Sequence, residues 1–272
     1  MTGFAPPKRE IRPLPAIPAP GTALQNPAVS NSPAPSPLTG GNRTVSTPLA
    51  VFDLDGTLID TAPDLIDSLN HTIDAHGLEP VTYADLTHLV GHGAKAMIER
   101  SFALRGRPLA EAEYPAMLER FIDHYQTGMP GRGRPYPGVI AAMERLSAAG
   151  FRLAVCTNKM EGLARRLIQT NGLTDRFAAI TGGDTFSVRK PDAAHLFGTV
   201  ERAGADRRRT IMIGDSLNDI LVARNAGVPS IAVDFGYSDR PVADLEPSLI
   251  ISHYDALTAS VAEELLAAAA SV

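Results

Sequence analysis

The chain has 272 residues, 44% of them apolar, and a formal net charge of -5. That is enough apolar material for one large domain, or for a domain with an insert, and the mild acidity argues against a nucleic-acid or other polyanion partner. No apolar run approaches the roughly 18–20 residues of a membrane span, and the single cysteine, Cys156, excludes an internal disulfide and fits a reducing, cytoplasmic compartment.

Residues 1–47 hold ten of the 22 prolines and few large apolar side chains, and read as a disordered, partly polyproline tail. Without an apolar h-region it is not expected to be a signal peptide. Leu49-Ala50-Val51-Phe52 then reads as a buried strand. It runs into Asp53 and Asp55, which would share one face if the strand continued, but Gly56 breaks the chain into a loop. Thr61-Ala62-Pro63-Asp64 opens a helix, with Pro63 suited to the first turn and Asp64 to its positive end, and Gly77 closes it. Further helices are predicted over 82–90, 93–104 and 109–125, the last placing Tyr114, Met117, Phe121 and Tyr125 on one face. With no good strand between 64 and about 129, this is an all-helical insert, bounded at 64–134. It ends in the Gly/Pro-rich linker 128–138, where Arg132 and Arg134 read as solvated residues.

Strands and helices then alternate. Strands are predicted at 152–157, 178–180, 210–213, 230–233 and 249–251, with helices at 139–149, 161–170, 193–202, 219–226 and 255–269. Alternation of this kind predicts an α/β fold, a doubly wound parallel sheet with a Rossmann-like core built from 48–63 and 135–272. Ligands in such sheets bind beyond the carboxyl ends of the strands. Asp53, Thr157 and Asp215 each close a predicted strand, so the fold would gather them.

Taken singly, these residues have plain structural readings. Asp-x-Asp-Gly also occurs in turns and calcium loops, Thr157 is an ordinary strand-end residue, Lys190 a surface charge, and Gly214-Asp215-Ser216-Leu217-Asn218-Asp219 a helix cap. Cys156 reads as a small buried hydrophobe. Lysine is rare in this arginine-rich chain, at 8, 95, 159 and 190 only, so each survivor is a candidate for chemistry that needs a compact charge.

Four pieces together change the weighing: Asp53-Leu54-Asp55-Gly56-Thr57, Cys156-Thr157-Asn158-Lys159, Arg189-Lys190-Pro191, and Gly214 to Asp219. In this order and spacing the chain resembles the haloacid dehalogenase superfamily of phosphohydrolases, over about 48–262, and the helical insert resembles that family's cap. Phe52 to Asp64, Val90-Gly91-His92-Gly93, Arg134 to Val139 and Ile180 to Asp184 look most like the bacterial phosphoglycolate phosphatase branch.

The resemblance implies a Mg²⁺-dependent phosphomonoester hydrolase acting through an aspartyl-phosphate, with 2-phosphoglycolate as the expected substrate. Asp53 would be nucleophile and metal ligand. Asp55 would lend its backbone carbonyl to the metal while its side chain acts as acid and then base, a role that needs a raised pKa, expected from neighbouring carboxylates. Asp215 would be a further ligand, with Asp219, four residues on, mainly behind it. Thr157 and Asn158 would hold phosphate oxygens through hydroxyl and backbone N–H donors, and Lys190 would screen the nucleophile and the phosphate. Mg²⁺ suits the hard oxygens of carboxylates and phosphate. In the cap, His92, Gly93 and Lys95 are the candidate substrate contacts, Lys95 as partner of a substrate carboxylate. The expected partner is a small phosphorylated organic acid or sugar, with no membrane or nucleic acid, in a monomer or homodimer. The alternatives are a phosphatase of another small phosphate, a phosphomutase of the same superfamily, a phosphonate hydrolase using Lys95 as imine former, and a non-enzymatic, metal-dependent interaction module. Carbon–halogen hydrolysis is disfavoured, because it makes no use of Asp55 as an acid.

Overall fold

The computed structural model describes residues 46–87 and 89–271. The tail expected at 1–47 therefore lies, but for its last two residues, outside the described residues, as does His88 within the helix expected over 82–90.

Strand β1 (Leu49–Phe52) is buried along its whole length. Only a strand covered on both faces favours such a continuous apolar run. Parallel neighbours flank it: β4 (Arg152–Cys156) on one side and β6 (Thr210–Gly214) on the other. Outside these lie β5 (Ala179–Thr181), and then β7 (Ser230–Val233) and β8 (Leu249–Ile251). Among the described residues the sheet has the order β5-β4-β1-β6-β7-β8 and is parallel throughout.

Because strand side chains alternate, β1 feeds two cores. Ala50 and Phe52 pack with α5 (Val139–Ala148), α6 (Glu161–Thr170) and α9 (Ala259–Ala269). Leu49 and Val51 pack on the other face with Leu196 of α7 (Ala193–Arg202) and Val222 of α8 (Leu217–Ala226). A fully buried Phe52 contributes roughly 1.5–3 kcal/mol of transfer free energy, and this double covering is the doubly wound α/β arrangement expected from the alternation.

Four helices between residues 62 and 128 form a third cluster. Leu65, Leu69 and Ile73 of α1 (Ala62–Asp74) meet Leu86 of α2 (Tyr83–Leu86), Phe102 of α3 (Gly93–Leu104) and Phe121 of α4 (Tyr114–Gly128). Two boundaries differ from expectation. The helix expected over 82–90 is a single turn, closed early although Thr82 and Asp85 form a full capping box. The one expected over 109–125 begins only at Tyr114, whose following Pro115 suits a first turn.

The linker at 128–138 also holds structure the sequence did not signal. Arg134–Pro135 (β3) pairs antiparallel with Ile59–Asp60 (β2), so the chain leaves for the helical layer and returns from it through one two-stranded ribbon. The Asp64 carboxylate fastens the return, accepting from the backbone N–H groups of Arg132 at 2.8 Å and Gly133 at 2.7 Å.

From β1 the chain crosses first to β4 on one side and later to β6 on the other. The crevice of such a switch opens at the carboxyl end of β1, and the four sequence motifs converge there.

Candidate active site

Register places the first carboxylate. Phe52 pairs with both Val155 and Ile213, and the Asp53 N–H continues the ladder to the Ile213 carbonyl at 2.9 Å. Asp53, Thr157 and Asp215 thus lie side by side, one step past three neighbouring strands. Oxygens of Asp53, Asp215 and Asp219 lie within 4.8 Å of one another, all three residues buried. Leu54 N–H at 2.7 Å and Lys190 Nζ at 2.9 Å both reach Asp53 Oδ1.

Each other carboxylate is held from behind. Asp215 accepts from Thr57 Oγ1 at 3.0 Å and from the Tyr237 N–H at 2.7 Å. Asp219 spends Oδ1 on Lys190 Nζ at 2.6 Å, and Oδ2 on the N–H and hydroxyl of Ser216 at 3.0 and 2.6 Å, as the capping box of α8. With both oxygens engaged, Asp219 stands behind the other two and anchors Lys190. Close approach leaves no room for side chains here. A Cβ on Gly56 would sit 2.4 Å from Asp215 Oδ2, at a backbone φ of +77°. A Cβ on Gly214 would sit 2.2 Å from Asp219 Cγ.

This crowding of negative charge has an electrostatic signature. Burial, with the Asp219 and Asp53 charges, raises the Asp215 pKa to about 8. Burial also raises that of Asp53, to about 6, against the lowering pull of Lys190. Burial works against the charged form of Lys190 too, but Asp219 and Asp53 outweigh it, and the ammonium is held well above the ordinary lysine range. One ammonium does not balance three buried carboxylates. A hard divalent cation among these oxygens would, and the donor set, all carboxylate oxygen, fits one.

The other predicted residues are partly reassigned. Thr157 is buried, but its N–H is taken by the Thr181 carbonyl at 3.0 Å, so only its hydroxyl is left to donate. The Asn158 side-chain amide is committed to the carbonyls of Gly91 and Lys190, each at 3.1 Å, and not to a phosphate. Asp55 lies at the mouth, accepting from Thr61 Oγ1 at 2.8 Å. Its closest charged partner is Lys159, with Nζ 2.9 Å from Oδ1 and 3.2 Å from Oδ2, rather than the neighbouring carboxylates expected from sequence.

In the cap, the Gly91–Gly93 loop does approach the core. Its Gly91 carbonyl takes a second amide, from Asn218 at 2.9 Å, and a Cβ on Gly93 would lie 3.1 Å from the Asn158 carbonyl oxygen. Gly93 lines the cleft over Asp53, but His92 does not. Its Nδ1 accepts from Asn218 at 3.3 Å, and it faces an adjoining cleft. Lys95 points away: its side chain is 55% exposed, pairs with Glu99 at 3.8 Å and lies over the Tyr114 ring. The structure thus does not bring Lys95 to the cluster around Asp53. A one-turn loop before a helix fixes which residues are near the core, not which way the next helical side chain faces.

Two supporting residues, Tyr237 and His195, escaped the sequence reading, and a third, Lys159, stood there only as a rare lysine in the second motif, without its partners. Tyr237 orients Asp215 through its N–H, while its hydroxyl accepts from Ala62 N–H at 2.9 Å and donates to Asp60, tying the ribbon to the site. His195 Nδ1 accepts from the Lys190 N–H at 3.1 Å, and burial and Lys190 lower its pKa to about 4, so it is neutral. Lys159 is buried between Asp55 and the Tyr125 ring of α4, its Nζ 4.3 Å from the ring centroid. Burial disfavours its charge, but Asp55 and Tyr125 more than offset this. None of these positions carries a periodic signal. Only the scarcity of lysine pointed at Lys159.

Comparison with known proteins agrees with this geometry. Residues 50–233 match the family model described as haloacid dehalogenase-like hydrolase. The phosphoglycolate phosphatase of Agrobacterium fabrum is 60% identical over 224 residues, covering 82% of this chain and 96% of that one. The phosphoglycolate phosphatase of Mesorhizobium japonicum is 54% identical over 225 residues, covering 83% and 99%. The crystal structure of a predicted phosphoglycolate phosphatase from Haemophilus somnus superposes with a TM-score of 0.72 at 28% identity, covering 78% of this chain and 96% of that one.

Proposed function

This chain belongs to the haloacid dehalogenase-like hydrolase family, and on that premise we propose that it is a Mg²⁺-dependent phosphatase hydrolysing 2-phosphoglycolate to glycolate and phosphate through a phosphoryl group carried on Asp53. The observation that carries this reading is the trio of buried carboxylates from two strand ends and the first turn of α8, with one ammonium among them. Relatives at 60% and 54% identity bear the phosphoglycolate phosphatase name. Among the described residues no helix is long and apolar enough to cross a membrane, and we place the enzyme in the cytoplasm, where its buried free cysteine is at home.

The residues divide the work. Asp53, Asp215 and the Asp55 carbonyl would hold the cation, which supplies charge neutralisation for carboxylates and phosphoryl group alike. Lys190 fixes Asp53 Oδ1 and leaves Oδ2 to attack phosphorus, as a carboxylate that needs no base. The bond to the ester oxygen breaks as Asp55, ion-paired with Lys159 in the free site and protonated once the negative charge of the substrate arrives, gives that oxygen its proton. Asp55, now a carboxylate, takes a proton from water. The resulting hydroxide attacks phosphorus, releases phosphate and restores Asp53. The Thr157 hydroxyl and the Asn158 N–H are the donors left for phosphoryl oxygens.

The test is phosphate release from a panel of small phosphoesters by the wild type and by Asp53→Asn. The variant should fold normally and lose a thousandfold or more of turnover, roughly the loss seen when a nucleophile is removed. Appreciable residual hydrolysis would refute the assignment of Asp53.

A further inference from the structure

The organic half of the substrate must lie between the phosphoryl site and the helical layer, in a cleft of about 610 Å³ including its open mouth. Its upper wall is apolar, with Leu65 of α1, Met97 of α3, Phe121 of α4 and Leu163 of α6. Among the described residues lining it, Lys159 is the one cation. Lys190 is bound beneath, to Asp53 and Asp219.

We propose that Lys159 is a specificity-determining residue, whose ammonium bridges Asp55 and a carboxylate borne on the carbon next to the ester oxygen. The site then selects small phosphate esters of 2-hydroxy acids. This rests on the phosphatase reading of the same cleft and adds what recognises the leaving group. The argument is one of reach. An ester oxygen receiving a proton from Asp55 lies about 2.7 Å from that carboxyl. Lys159 Nζ lies 2.9 Å from Asp55 Oδ1. In a P–O–CH₂–COO⁻ unit a single carbon separates the ester oxygen from the carboxylate, so the carboxylate falls beside the ammonium. Lysine has three N–H donors, and Asp55, accepting at 2.9 and 3.2 Å, uses two. A substrate carboxylate would take the third in place of the weaker contact with Tyr125, whose ring centroid lies 4.3 Å from Nζ.

The apolar wall argues the same way. A sugar phosphate would set several hydroxyls against Leu65, Met97, Phe121 and Leu163, each stripped of water without a partner. A two-carbon acid presents one methylene to that wall and its only charge to Lys159. Lys95, the sequence-based candidate for this carboxylate, is paired with Glu99 outside the cleft.

The experiment compares kcat/KM for 2-phosphoglycolate, for its homologue with one further methylene before the carboxylate, and for ethyl phosphate, which replaces the carboxylate by a methyl group. Wild type should prefer 2-phosphoglycolate over ethyl phosphate by about a hundredfold or more, with the homologue between them. Lys159→Met should lower activity on every ester, since Asp55 loses its partner, but should cut the preference ratio at least about tenfold, mainly by raising KM for the acid. Lys159→Arg, which keeps the charge, should retain part of the preference. Equal losses on both esters with the ratio intact would overturn the proposal and leave Lys159 only as a support for Asp55. If Lys159→Met does not fold, the wild-type series decides, and equal rates with and without the carboxylate overturn it. Asp53-dependent turnover confined to esters that lack a carboxylate would also overturn it while the phosphatase reading stands. No phosphate from any ester would end both.

Discussion

Removing divalent cations should make the fold lose stability as pH rises, and restoring Mg²⁺ should help most at the alkaline end. In the folded chain Asp53 and Asp215 are raised to about 6 and about 8, in both cases first by burial. Unfolded aspartates titrate near 3.9. Between those values the folded state holds protons that the unfolded state has released, so increasing pH favours unfolding. The stability these two groups contribute is fully present below about pH 4 and erodes through about pH 6 for Asp53 and about pH 8 for Asp215. One pKa unit is worth about 1.4 kcal/mol. Between about pH 5.5 and about pH 8 the two groups together lose on the order of 4 kcal/mol, most of it at Asp215. At about 2–4 °C per kcal/mol for a domain of this size, Tm should fall by about 8–16 °C. The assay is thermal unfolding from about pH 5.5 to about pH 8, with EDTA or with excess Mg²⁺. The Tm difference between the two conditions should widen with pH, and Asp215→Asn should remove most of the widening. A difference that is flat, or that narrows as pH rises, would refute the electrostatic account of the site.

Two further expectations come from close contacts and their absence. Gly56→Ala forces a left-handed backbone on alanine, at roughly 1–2 kcal/mol, and pushes a methyl group into Asp215. It should lower Tm by several degrees and weaken Mg²⁺ binding in a metal titration, and unchanged metal affinity would contradict the packing described. Lys95→Ala should leave kcat/KM for 2-phosphoglycolate within about twofold, since an exposed pair with Glu99 contributes little. A large loss would return Lys95 to the site.

What the sequence made legible was whatever repeats or punctuates. The all-apolar run 49–52 gave the central strand, the alternation after 139 gave the winding, and the strand-end positions of Asp53, Thr157 and Asp215 gave their convergence. The ribbon at 59–60 and 134–135 is two residues a side, too short for a period to show. The partners of Asp55 and Asp215 were hidden for another reason. Lys159 meets Asp55 across 104 positions and Tyr237 meets Asp215 across 22, from loops whose conformation tertiary packing sets. The side-chain direction of Lys95 was likewise undecided until α3 was docked, which is why the expected carboxylate partner moved to Lys159.

The ribbon has one more consequence. Because Ile59 and Pro135 are paired, the two ends of the intervening helical segment sit a single strand spacing apart. For an excursion that starts and finishes at the same doorway, added length enters the closure entropy only logarithmically. The register among β1, β4 and β6 is blind to what lies between. Descendants of such a chain can therefore trade one roof for another and acquire new leaving groups, while the phosphorus chemistry beneath is inherited unaltered.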